Sequence, residues 1–134
     1  MSKLTDKINS IPNLLSTGGC TNEQISEAEK KLDLTFPEDF IEYTKNYGVI
    51  SFFGTELTGL NVDGYLNVVD ATLQERGNND NFPVNCFVLE NLYIDGILAV
   101  SDESGKVYSL QYDKKELLCN SFSEYLDLCI KRKK

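Results

Sequence analysis

The chain contains no histidine. Without imidazole, Ser–His and Cys–His nucleophile pairs are excluded outright. General acid–base chemistry would fall to carboxylates, lysines or tyrosines. Zinc is disfavoured too, because the four cysteines, Cys20, Cys86, Cys119 and Cys129, include no C-x-x-C pair. Those cysteines read as buried reduced thiols. No metal or other cofactor is expected.

Long apolar runs are also missing. No segment approaches the roughly 18 apolar residues of a membrane helix. The opening stretch, Met1 to Pro12, carries Lys3, Asp6 and Lys7 and lacks the apolar core of a signal peptide. A cytoplasmic location and no membrane partner are therefore expected. Cations are scarce as well: 13 Lys and Arg face 21 Asp and Glu, a formal charge of −8. Nucleic-acid binders set cations along phosphates, so no nucleic-acid ligand is expected. An acidic surface aids solubility and steers positively charged partners.

What is present is an ordered globular sequence, 41% apolar and 10% aromatic over 134 residues. With no internal repeat and no linker, residues 1–134 read as a single domain. A helix and loop are expected over residues 1–20, the main body of the fold over 21–130, and a basic tail over 131–134.

A first helix is expected over Leu4 to Leu15, cut near its end by Pro12, before the Thr17-Gly18-Gly19 break. Thr21 and Gln24 form a capping box ahead of Ile25, Ala28 and Leu32 at helical spacing. Glu23 and Glu27 stand early in that helix and Lys30 and Lys31 late, which suits the helix dipole. Pro37 suits the first position of a second helix. Phe40, Tyr43, Thr44 and Tyr47 share one face of it, and Gly48 can stop it.

The middle of the chain switches to strand signals. Val49 to Phe53 and Tyr65 to Val69 read as strands, and Asp70 to Arg76 as a short helix. Cys86 to Leu89 and Ile97 to Val100 read as buried strands, joined through the Asp95-Gly96 turn. Val107 to Tyr112 alternates after the turn Asp102 to Gly105, with Tyr108, Leu110 and Tyr112 on one side, and Leu117 to Cys119 could add a short strand. Ser121 and Glu124 form a second capping box, opening a final helix over Phe122, Tyr125, Leu126, Cys129 and Ile130. Lys131 to Lys134 place cations at its C-terminus. Helices first, strands next and a covering helix last give an α+β fold with a mostly antiparallel sheet.

Candidate chemistry is thin. Gly54, Gly59 and Gly64 match no phosphate-binding fingerprint and are expected at turns with positive φ. Asp63, Asp70, Glu75 and Asp80 fall in one polar region. A two-carboxylate sugar hydrolase would need a separation of about 5–10 Å, and acidic loop residues are ordinarily just solvated. Asp102 to Gly105 lacks the ordered ligand spacing of a calcium loop. No catalytic residue and no small-molecule substrate are expected.

The ordered set of motifs resembles the SUKH superfamily. Thr21 to Gly48 has its helix with a late glutamate, a leucine, a Phe-Pro-x-x-Phe step and a helix closed by glycine. Glu29, Leu32, Pro37, Phe40 and Gly48 hold the matching positions. Gly59-Leu60 resembles a short motif after the first strand. Asp95-Gly96 through Gly105-Lys106-Val107-Tyr108 resembles the paired central strands. Ser121-Phe122-x-x-Tyr125-Leu126 resembles the final helix. Tyr47-Gly48 departs from the Asn-Gly of many members.

The resemblance, to YobK-like immunity proteins and to cell-wall-regulator-type domains, implies a non-enzymatic protein. Bacterial members bind and neutralise a cognate toxin domain, often a nuclease. The alternative it implies is a regulatory protein-interaction module unrelated to toxins. Glu29, Pro37, Gly48, Gly96, Gly105 and Ser121 would then be structural. A nuclease presents a basic surface, and an acidic inhibitor can occupy it rapidly. The expected contacts are the carboxylates of loops and strand ends: Asp63, Asp70, Glu75, Asp80, Glu90, Asp102 and Glu103.

Overall fold

The computed structural model describes residues 3–132. Helix α1 (Lys3–Asn9) ends well before Pro12. Pro12 has no N–H to give a helix, and Asn13 turns the chain through a left-handed conformation at φ 59°. Leu15–Ser16 then forms strand β1, so the expected helix to Leu15 is shortened and its end becomes a strand.

Helix α2 (Asn22–Leu32) carries the full capping box: the Thr21 side chain accepts from the Gln24 N–H, and Gln24 Oε1 accepts from the Thr21 N–H. Helix α3 (Glu38–Tyr47) starts one residue later than expected, with Pro37 as its N-cap. Gly48 ends it at φ 73°. Strands β2 (Ile50–Phe52) and β3 (Thr55–Glu56) join β1 in a three-stranded antiparallel sheet.

The stretch Tyr65 to Val69 is not a strand. Asn67 Oδ1 accepts from the N–H groups of Val69 and Asp70, capping helix α4 (Val68–Asn78). The β-branched pair Val68-Val69 favours a strand only weakly, and a satisfied cap with both valines buried outweighs that preference.

Strands β4 (Cys86–Asn91), β5 (Ile97–Asp102), β6 (Val107–Gln111) and β7 (Lys114–Cys119) form an antiparallel meander in that order. Helix α5 (Phe122–Lys131) closes the chain. Among the described residues, five helices and two antiparallel sheets make the α+β fold expected from the sequence.

The four-stranded sheet has apolar residues on both faces. Phe87, Leu89, Ala99 and Val107 join the larger core with α2, α3 and α5. Cys86, Val88, Leu98, Val100 and Leu110 face the other way, with Phe82 and Ala71 over them. In the larger core, Phe36, Phe40, Tyr43, Phe87 and Phe122 pack with ring centroids 4.7–5.9 Å apart. Truncating one such ring costs about 3–5 kcal/mol.

Tyr43 also has a polar duty. Its buried hydroxyl donates to the Thr58 carbonyl at 2.7 Å and accepts from the Ile50 N–H at 3.2 Å. Thr58 in turn bonds β4: its N–H reaches the Leu89 carbonyl and its hydroxyl the Val88 carbonyl. From the other side, Thr72 Oγ1 on α4 accepts from the Val88 N–H. The outer edge of β4 is thus covered, and the segment from Thr58 through α4 is seated on the sheet. That segment carries the candidate site.

Candidate functional site

Loop 60–67 and helix α4 form a wall with a concavity on each side. The first is an open groove of about 580 Å³ between α2 and the start of α4. Glu23 and Glu27 reach it from α2, Asp63 from the loop and Asp70 from α4. Lys31 is the cation in its lining. Among the described residues, none of these four carboxylates forms an ion pair. Asp63 and Asp70 belong to the carboxylates expected as contacts, and the fold brings them together. Glu23 and Glu27 were read only as dipole complements. Their spacing of four, which stacks them on one side of a helix, was the signal for a shared surface.

The second concavity is a cleft of about 140 Å³ between α4 and the β4–β5 end of the sheet. Glu56 and Glu75 contribute carboxylates to it, and Val88, Leu98 and Ala71 its apolar floor. Tyr65 and Tyr93 also line it and stand 58% and 69% exposed. The Tyr65 hydroxyl donates to both Glu56 carboxylate oxygens at 3.1 Å. That bond pushes the phenol above its ordinary value, because losing the proton would set two anions together. Burial pushes the Glu75 carboxyl up. Glu75 was among the expected contacts. Tyr65, Tyr93 and Glu56 were not, because their convergence depends on how loop 60–67 folds.

The remaining expected contacts are scattered. Asp80 is exposed on the segment after α4. Asp102 is engaged within its own turn: its carboxylate accepts from the N–H groups of Ser104 and Lys106 and the hydroxyls of Ser104 and Tyr108. Partial burial works against that charge, but the hydrogen bonds prevail and hold the carboxyl below its ordinary value. Glu103 Oε2 accepts from the Thr35 N–H at 2.8 Å, docking the β5–β6 turn onto the α2–α3 connection.

Glu90 contradicts the expectation of an exposed contact. It is 5% exposed, and its carboxylate accepts from the Tyr125 hydroxyl at 2.5 Å and from Arg132 at 2.8 and 3.0 Å. A break in register between Val88 and Glu90 is the cause. Strict alternation would put Glu90 on the cleft face with Val88. The extra residue instead sets Glu90 opposite Ala99, facing α5, and hands the cleft position to Asn91. Arg132, expected as a cation beside the helix end, turns its side chain inward to this carboxylate. Lys133 and Lys134 lie outside the described residues.

A family model described as SUKH_6, SMI1-KNR4 cell-wall, matches residues 22–126. The chain belongs to the SUKH family. No curated protein matches it. The SUKH match runs from the first residue of α2 into α5, so the groove and the cleft both lie inside it, whereas Arg132 lies beyond it.

The SUKH motif residues have visible duties. Glu29 Oε2 accepts from the Phe36 N–H at 2.8 Å and holds the step between α2 and α3. Gly96 and Gly105 sit at φ 72° and 101° in the strand turns. Ser121 caps α5 by accepting from the Glu124 N–H, but Glu124 accepts from the Asn120 N–H, one residue before the expected return bond. Gly54 and Gly64 are positive-φ turns, as read from the sequence. Gly59 is not: it is required by close approach, since a Cβ there would lie 1.8 Å from the Gly48 carbonyl oxygen.

All four cysteines are free; Cys20, Cys86 and Cys129 are buried and Cys119 half-buried. Among the described residues, no helix is long and apolar enough to cross a membrane.

Proposed function

We propose that this SUKH protein neutralises a toxin, binding a basic toxin domain, a nuclease in the first instance, through the acidic groove between α2 and α4. The observation that carries the reading is the convergence of Glu23, Glu27, Asp63 and Asp70 on one open groove that has Lys31 as its cation. A small-molecule pocket is mostly apolar and encloses its ligand. This groove is open and lined by carboxylates, which suits a cationic protein surface. Opposed charge raises the association rate and excludes wrong partners. Family membership supports a binding role, and the reading requires no bond to be made or broken.

The test is co-expression with the product of the neighbouring gene, scoring survival and complex formation. Protection by the wild type is expected, together with a loss of affinity of tenfold or more in Asp63→Lys/Asp70→Lys at physiological salt. Raising the salt should weaken the wild-type complex, because exposed charges are screened within about 10 Å. Equal protection by the reversed variant would remove the groove from the mechanism. Absence of any toxin partner would favour the regulatory alternative.

A further inference from the structure

The Tyr65–Tyr93 cleft differs from the acidic groove in size and in chemistry. At about 140 Å³ it is near the cavity volume of about 150 Å³ that takes a single benzene-sized group. It falls well short of the roughly 300–1,000 Å³ of a metabolite site. It therefore has room for one side-chain head.

Its walls specify which head. Tyr65 and Tyr93 offer ring surface to solvent. Tyr65 is tethered through its hydroxyl to Glu56, so its ring is already positioned. Glu56 and Glu75 supply negative charge, and neither forms an ion pair among the described residues. Burial without a counter-charge already disfavours the Glu75 carboxylate. A planar cation satisfies all of these groups together: it stacks on tyrosine and donates in-plane hydrogen bonds to carboxylates. The molecule shows the aromatic half of this pairing elsewhere, where the Lys115 ammonium lies 4.5 Å from the centre of the Tyr108 ring.

We infer that the cleft framed by Tyr65, Tyr93, Glu56 and Glu75 is a socket for one arginine side chain of a protein partner. Arginine is favoured over lysine because only the guanidinium is flat enough to stack and forked enough to bridge two acceptors. The socket shares α4 and loop 60–67 with the acidic groove, so a single basic partner can engage both. The inference takes from the proposed function only that the partner is a basic protein. Tyrosine and arginine are also the residues on which interface energy concentrates.

The experiment uses the full chain, labelled with ¹⁵N and titrated with N-acetyl-arginine amide and, separately, with its neutral isostere N-acetyl-citrulline amide. Saturable shifts are expected at the amides of Tyr65, Glu75 and Tyr93 with the arginine probe and not with citrulline. Glu75→Gln and Tyr93→Ala should weaken the response at least fivefold, while Asp63→Asn leaves it unchanged. Glu75→Gln is isosteric and half-exposed, so a dispersed spectrum will show that it folds. The inference is overturned by no saturable response at these amides, by an equal response to citrulline, or by shifts centred on Glu23 and Asp63. The probe is independent of any toxin, so failure here leaves the neutralisation reading standing, and failure to find a toxin leaves the socket standing.

Discussion

Arg132, at the end of the last helix, is bonded to Glu90 in the first strand of the four-stranded sheet, 2.8 Å from Oε1 and 3.0 Å from Oε2. Glu90 is almost fully buried, whereas the Arg132 side chain remains 40% exposed. Removing one partner of a buried pair costs about 3–5 kcal/mol, because the other charge is left uncompensated. The exposed side of Arg132 lets water replace part of that loss. Arg132→Ala is expected to destabilise by about 2 kcal/mol in urea unfolding, and Glu90→Gln in the same chain should recover part of the loss. A midpoint within experimental error of the wild type would show that the pair contributes nothing.

Gly59 and Gly77 make opposite demands. A Cβ at Gly59 would meet the Gly48 carbonyl oxygen at 1.8 Å, and that atom belongs to backbone. Gly59→Ala should therefore cost at least about 3 kcal/mol or abolish folding, at the upper end of overpacking penalties. Gly77 lies in α4 with nothing within 4 Å of its would-be Cβ. Gly77→Ala should stabilise by up to about 1 kcal/mol through helix propensity. Thermal unfolding of the two variants side by side checks both.

The Asp102 turn makes stability depend on acid. Its carboxyl is held below the ordinary value of 3.8. A depressed carboxylate stabilises the fold above its unfolded pKa and loses that contribution as pH falls through the folded one. The gap between wild type and Asp102→Asn should be constant from about pH 5 to 7 and close below about pH 4. Because Asp102 is only half-buried, screening keeps this gap small, under about 1 kcal/mol. A gap that widens in acid would refute the assignment.

The thiols set the alkaline limit. Burial pushes Cys86 up to about 11 and Cys129 up to about 12. Burial raises the Tyr43 and Tyr125 phenols in the same direction. Raised values mean that the fold favours the protonated forms, so their contribution is complete below the unfolded thiol value of about 8.5 and is lost as pH rises beyond it. Stability should decline from about pH 9 upward. At pH 8, a thiol reagent should leave Cys86 and Cys129 unlabelled in the native protein and label them in urea. Rapid native labelling of Cys129 would contradict its burial.

Most elements were legible because their signals are local. The Thr21–Gln24 capping box, the stop at Gly48, the turns at Gly96 and Gly105 and the Ser121 cap are each decided within a few residues, and each stands where the sequence placed it. The errors at the N-terminus and at Tyr65 to Val69 arose where local preference was weak and pairing decided. Leu15 becomes a strand because β2 lies opposite it, and Val68-Val69 joins a helix because Asn67 caps it and the core covers it.

By itself, then, the sequence determined the helix ends, the turns, the absence of imidazole chemistry and the net negative charge, all of which depend on residue type and near neighbours. Only the tertiary structure decided which carboxylates share a surface. One extra residue in β4 moved Glu90 from the cleft face to the arginine at the end of the chain, and the fold of loop 60–67 set Tyr65 beside Tyr93. The reason is physical: charge is a property of a residue, but the face a side chain occupies is set by register and packing between segments far apart in the chain.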